Sequence, residues 1–306
     1  MVACLIHAYR DGVERSNCNK AIEFEMSGTE TIQVDVKDRI LSCANLPALP
    51  NVAVNVLERL KNESTSPSEI TELIECEPAI CTRVLSLANS PLYGLSRPVS
   101  TLSHAIVLLG IPAVCQLAVS ISTKEVFCSG SGRVLKKRKK IYEQSLACAT
   151  NARILANQFD LPSPDETFLS AMMQNIGQLV FLAELGDSYC DFLDSCPSGE
   201  TTEEETNWIG IGHDSLGEAC GRRWGLPVAI NQAIVEHHSP YSETMQPIAK
   251  TLLAANYFSR SWHIAFDSDE ELVQSELIES QFESSQLCEV EAMCKESFDA
   301  VKAICI

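Results

Sequence analysis

Ser66-Pro-Ser-Glu-Ile-Thr-Glu-Leu-Ile74 is a helix start written out in full. Ser66 is suited to accept a backbone N–H, Glu69 three residues on completes a capping box, and Pro67 stands at the first helical position, where its missing N–H costs nothing. Ile70, Leu73 and Ile74 then fall on one face at the 3.6-residue period. The same grammar runs outward from this stretch. Upstream, a helical pattern starts at Asp38, is interrupted by Leu46-Pro-Ala-Leu-Pro50, and resumes with Val52, Val56, Leu57 and Leu60. Downstream, Pro78 opens a helix through Ile80, Val84, Leu87 and Ala88 that Asn89-Ser90-Pro91 stops. Thr101 to Leu109 is helical and ends at Gly110, a residue suited to a left-handed C-terminus. Pro112 begins the next helix, with Val114, Leu117, Ala118 and Ile121 inside.

These five short helices predict an all-α unit over residues 38–127, and Cys128-Ser-Gly-Ser-Gly132 marks its end. A second helical unit is expected over 133–265, with helices near 138–158, 165–174, 178–193, 214–224, 228–238 and 247–262. Strand-like alternation is confined to Thr31–Lys37. Residues 1–37 read as a partly disordered extension, with Met26 as an alternative start. Between Asp187 and Glu205 lie seven acids and no base, the pattern of a solvated surface. Residues 266–306 carry eleven acids and two lysines and read as an acidic, helical C-terminal tail, with Leu272, Leu277, Ile278 and Phe282 as its candidate apolar face.

Composition removes several function classes. The 306 residues have a net charge of −18, which argues against a duplex-DNA or anionic-membrane binder, since phosphates and headgroups require surplus positive charge. A hydrophobic fraction of 45% supports a sizeable core. No run approaches about 18 consecutive apolar residues, so no bilayer span is expected. The 14 cysteines include no Cys-x-x-Cys pair, which fits reduced thiols used as small core residues better than zinc ribbons or a disulfide scaffold. The N-terminus lacks the pattern of a secretion signal, and a cytoplasmic location is expected. There is no Gly-rich phosphate loop, no Gly-x-Ser-x-Gly and no His-Glu-x-x-His.

Leu46-Pro-Ala-Leu-Pro50, Glu77-Pro78, Leu87-Ala-Asn-Ser-Pro-Leu-Tyr-Gly94 and Ser103-His-Ala-Ile-Val-Leu-Leu-Gly110 together resemble the HDOD family. The likeness continues in order through Tyr142-Glu-Gln-Ser-Leu146, Met172-Met-Gln-Asn-Ile-Gly177, Gly212-His-Asp-Ser-Leu-Gly217, Trp224-Gly-Leu-Pro227 and Ala233-Ile-Val-Glu-His-His238. It covers roughly residues 40–260. The resemblance implies an all-α fold of two helical subdomains, the second a degenerate version of the HD metal-phosphohydrolase fold, and a bacterial signal-transducing role without catalysis. An HD phosphohydrolase needs a divalent metal to activate water and polarise phosphate. Carried onto this chain, its ligand positions are Gln144, Gln174, Asn175 and Asn256. All four are amides, which bring neither imidazole nitrogen nor carboxylate charge. They are expected to hydrogen-bond one another instead, with no metal, no other cofactor and no enzymatic activity.

Two further groups stand out. His213, Asp214, His237 and His238 sit where the resemblance to HD-GYP phosphodiesterases would place a second metal, although the Gly-Tyr-Pro triplet is absent. Adjacent residues on a helix point about 100° apart, so only one of His237 and His238 is expected to face a shared site. Otherwise Asp214 or Ser215 caps one helix and the pair closes the next. Arg133, Lys136, Lys137, Arg138, Lys139 and Lys140 place six positive charges within eight residues of an acidic chain. This run is either a solvated helix start paired with the protein's own acids or a site for an anionic partner. The leading expectation is a regulatory module that binds a protein partner or a nucleotide second messenger such as a cyclic dinucleotide, with no membrane and no sequence-specific nucleic acid. The groove near residues 128–145 is the expected docking place. The alternative is a metal-dependent phosphohydrolase using the relocated histidines.

Overall fold

Proline and side-chain caps set the helix starts of the first unit in the computed structural model of the chain, which describes residues 51–60, 65–90, 97–158, 164–196, 201–261 and 284–305. There α1 spans Asn51–Leu60, α2 Pro67–Glu75, α3 Pro78–Ala88, α4 Leu102–Leu109 and α5 Ile111–Phe127. Ser66 is extended and its Oγ accepts the Glu69 N–H at 3.3 Å, as its capping position requires. Thr101 caps α4 in the same way through the His104 N–H. Beyond α3, the Asn89 amide donates to the Leu85 and Val99 carbonyls and accepts the Val99 N–H at 2.7 Å, pinning the returning chain. Gly110, at φ 81°, turns α4 sharply into α5.

No strand occurs among the described residues. The expected strand Thr31–Lys37, the extension 1–37 and the start of the first unit over 38–50 lie outside them.

The second unit is organised by α6, Gly132–Gln158, a 27-residue helix. Ile141, Tyr142, Ser145, Leu146, Cys148, Ala149, Ala152 and Leu155 are buried along it. Helices α7 (Pro164–Met173), α8 (Ile176–Leu185), α9 (Asp187–Ser195), α10 (Thr201–Ile209), α11 (His213–Arg223), α12 (Val228–Glu236) and α13 (Pro247–Ser261) follow. α7 and α13 lie against α6. The single helix expected over 178–193 is two helices, because Gly186 at φ 56° breaks the path. α10 lies within the acid-rich stretch that composition presented only as surface, yet Thr201, Glu205 and Ile209 form a buried row four residues apart. The segment Pro164–Leu185 is apolar enough to cross a membrane by length and composition, but 83% of its apolar window is buried within the fold.

The glycine-serine break separates the two units along the chain but not in the core. Tyr142 on α6 donates to the Ser120 carbonyl on α5 at 3.0 Å and meets Phe127 edge-on. Gln116 on α5 donates to Asp165 on α7 at 2.8 Å. One contiguous apolar core contains side chains from both units. No described cysteine is in a disulfide. Cys115, Cys220 and Cys294 are buried, and burial pushes their thiols up to about 12, so they are protonated packing groups.

The C-terminal segment, set apart by its charge as a tail, supplies α14 (Ser284–Cys305), which packs on α6, α3 and α5. Its apolar stripe is Val290, Cys294, Phe298 and Cys305, all buried, and Lys302 pairs with Glu143 of α6. Counting acids hid this stripe, because its spacing of four, four and seven residues is helical while its outer face carries the charge. The face expected from Leu272, Leu277, Ile278 and Phe282 lies outside the described residues. Phe298→Ala is expected to lower the unfolding free energy by about 3–5 kcal/mol. Urea denaturation followed by far-UV circular dichroism checks this; a loosely attached tail would leave the midpoint unchanged.

Candidate functional site

The turn between α7 and α8 carries Gln174 and Asn175 into the interior. Gln174 is 0% exposed and Asn256, on α13, is 4% exposed. Their amides exchange two hydrogen bonds: Gln174 Nε2 donates to Asn256 Oδ1 at 3.1 Å, and Asn256 Nδ2 donates to Gln174 Oε1 at 3.0 Å. Asn175 Nδ2 reaches Ser145 Oγ on α6 through a long bond of 3.5 Å. Gln144, one residue earlier on α6, is half-buried. Two of the four amide positions are therefore joined directly, and a third is tied to the neighbour of the fourth. The buried polar layer continues one turn along, where Asn151 Nδ2 donates to Ser259 Oγ at 3.0 Å. The central pair is neutral, and each amide has one donor and one acceptor in use, which is the satisfied state a buried amide requires.

The histidines converge next to this turn. His213 opens α11, and its ring lies with centroids 5.3 Å from His237 and 4.8 Å from His238, which are 4.0 Å from each other. His213 Nε2 and His238 Nε2 are 3.0 Å apart. His237 Nδ1 donates to the Ile234 carbonyl at 2.6 Å. Both members of the tandem pair face His213, contrary to the expectation from helical geometry. The reason is that α12 ends at Glu236: His237 is its C-cap and His238 lies beyond it, so the 100° step does not separate them. Asp214 does not join the cluster. It is half-buried, and its Oδ1 accepts the Ser215 N–H at 2.6 Å.

Neither Asp214 nor Ser215 caps α11. That role falls to Glu205 of α10, a residue the motif reading did not single out. Glu205 is 0% exposed; its Oε2 accepts both the His213 N–H and the His213 Nδ1–H, each at 2.7 Å, and its Oε1 accepts the Tyr189 hydroxyl. A carboxylate at a helix N-terminus is favoured by the dipole as well as by the orphan N–H. The legible signal was the row Thr201, Glu205, Ile209, which puts one glutamate of an acidic triplet on the inward face.

The basic run occupies the first turns of α6, where the dipole disfavours cations. Acids on α9 counter it. Arg133 pairs with Asp191 at 2.8 Å and with Asp194 at 2.6 Å, and Lys137 also pairs with Asp194. The Lys137 ammonium, with Arg133, holds the Asp194 carboxyl below the usual carboxylate range. Arg138 is half-buried and donates to the Ser129 carbonyl at 3.1 Å and to its hydroxyl. Lys136, Lys139 and Lys140 are exposed. A cleft of about 440 Å³ is lined by Ser129–Val134, Arg138, Leu182, Ala183, Gly186 and Asp187, and these three lysines are not among its lining.

Gly177, on the first turn of α8, is the contact between the amide turn and the histidines. A Cβ there would lie 2.0 Å from the His213 carbonyl oxygen, a backbone atom that has no rotamer to escape into. Gly177→Ala is expected to destabilise the fold by about 1–3 kcal/mol, as overpacking does. Chemical denaturation measures the loss, and the His213 ring resonances should shift in the same variant.

The HDOD domain matches residues 46–240 of this chain. An uncharacterised protein of Treponema pallidum (strain Nichols) is 24% identical over 253 residues, covering 80% of this chain, which spans 47% of that protein's length. An HDOD domain protein of unknown function from Geobacter sulfurreducens superposes with a TM-score of 0.66 at 19% identity, over 88% of this chain and 98% of that one. A Shewanella amazonensis SB2B protein provisionally named a metal-dependent phosphohydrolase gives 0.67 at 20% identity, over 92% and 100% of the two chains. A Marinobacter aquaeolei VT8 protein provisionally named a signal transduction protein gives 0.68 at 18% identity, over 98% and 68%. At these identities the superpositions establish the shared helical fold, while the domain match extends over more than half of the sequence. The chain belongs to the HDOD domain family.

Proposed function

We propose that this chain is a non-catalytic regulatory module of bacterial signalling that works by binding a protein partner. The observation that carries this reading is the reciprocal amide pair Gln174–Asn256. By the resemblance, its two positions correspond to metal-ligand positions of HD phosphohydrolases, and the donor set there does not fit such an ion. Amide oxygens bring no charge to balance a dication, and here each is already accepting a hydrogen bond. A protein whose catalytic centre is built this way acts through its surfaces. Lys136, Lys139 and Lys140, exposed on the first turns of α6, support docking of an acidic segment there. Pairing of Arg133 and Lys137 with α9 leaves a smaller cationic surface there than the sequence run suggests.

The convergence of His213, His237 and His238 favours a second reading, a phosphohydrolase with a relocated metal. Against it, Glu205, the carboxylate bonded to the cluster through His213, has both oxygens engaged by Tyr189 and His213.

Purified protein incubated with Mn²⁺ and either a cyclic dinucleotide or a phosphomonoester is expected to show no turnover. Manganese-dependent hydrolysis lost in His238→Ala would establish the second reading. Capture from bacterial lysate with the full chain, compared with Lys136→Glu plus Lys139→Glu, should lose a specific protein in the variant. Calorimetric binding of a cyclic dinucleotide, abolished by the same substitutions, would make the module a nucleotide sensor instead. The amide pair has its own test: Gln174→Leu leaves the Asn256 amide unmatched and should cost about 1–3 kcal/mol of stability. The double variant Gln174→Leu, Asn256→Leu should recover most of it, read as the coupling in a double-mutant cycle.

A further inference from the structure

We infer that His213, His237 and His238 form a binding site for one late transition-metal ion of the Zn²⁺ class, held through imidazole nitrogens and separate from the amide centre. The inference does not depend on whether the chain is catalytic. A ring nitrogen from each histidine lies within 4.8 Å of the other two. A tetrahedral ion with Zn–N bonds of about 2.0–2.1 Å needs its nitrogens about 3.3 Å apart. His213 Nε2 and His238 Nε2, at 3.0 Å, already stand near that separation.

The tautomers favour the same outcome. A carbonyl only accepts, so His237 Nδ1 carries a hydrogen toward Ile234 and the lone pair of the neutral ring is on Nε2. Glu205 likewise takes the His213 Nδ1–H, which leaves the Nε2 lone pair directed at His238. An outer carboxylate or carbonyl that fixes the ring and raises its basicity is the usual support of a metal-binding histidine. Here it is present for two of the three rings. Tyr189 in turn holds Glu205. Within the 3.0 Å contact the hydrogen then lies on His238 Nε2. Metal binding requires it to move to Nδ1 of the same ring, with no net loss of a proton and an exchange of one N–H···N bond for two metal–nitrogen bonds.

The donor set also selects the ion. Three neutral imidazoles suit Zn²⁺, Co²⁺, Ni²⁺ or Cu²⁺, whereas Mg²⁺ and Ca²⁺ require oxygen ligands. His213 and His237 are buried, and His238 is part-exposed, which gives the ion a way in.

The test is titration of the full-length chain with Zn²⁺ in competition with a chromophoric chelator, and with Co²⁺ followed by absorption. One ion per chain is expected, with a Co²⁺ spectrum that lacks the near-ultraviolet band of thiolate ligands, and with no displacement by excess Mg²⁺. His238→Ala should weaken binding by more than the roughly 10–100-fold expected of Glu205→Gln, which removes only the outer support. His104→Ala, at an exposed position of α4, should bind as the parent does. Thiolate bands, or undiminished affinity in His238→Ala, would overturn the site. If Glu205→Gln unfolds, as circular dichroism would reveal, His238→Ala decides alone, because that ring lies at the surface edge of the cluster.

Discussion

A buried amide must find partners inside the protein, and in this molecule Gln174 and Asn256 find each other. That requirement fixes α13 against the α7–α8 turn, and the turn in turn sets the course of α8 toward α11. Both helices flanking the pair also pack on α6, the long helix at the centre of the unit. Both side chains of the pair are uncharged. A carboxylate in the same surroundings would carry a large desolvation cost without a cation to balance it. Neutral amides carry no such cost, so the interior is stable as it stands.

Much of the fold was legible because the sequence marks helix ends with groups that have one physical use. Ser66 and Thr101 sit before their helices as caps, Pro67 and Pro78 stand at first positions, and Gly110 takes a positive φ. What escaped was information carried by only a few residues or by contacts distant in sequence. Gly186 splits an apolar run whose periodicity reads as continuous. The seat of α14 depends on four buried side chains within a segment whose average character is acidic.

The site divides along the same line. The order of motifs located the amides and the histidines, since each lies in a short, distinctive stretch. Convergence of both His237 and His238 on His213 depended on where α12 stops, a boundary two residues earlier than periodicity indicates. Glu205 was hidden by its two acidic neighbours, the exposed Glu203 and the half-buried Glu204, which make the triplet read as surface. The partners of the basic run, Asp191 and Asp194, lie more than fifty residues away from it in sequence, and no local pattern announces such a pairing.

The fit of Gly177 against the His213 carbonyl oxygen has a mechanical side. Where a missing methyl group is the only clearance between two backbones, neither can slide toward the other, and the interior transmits force as a crystal of small molecules does. The amide turn and the start of α11 therefore behave as one rigid block. Whatever grips the imidazoles from outside pulls on a frame, not on a single side chain.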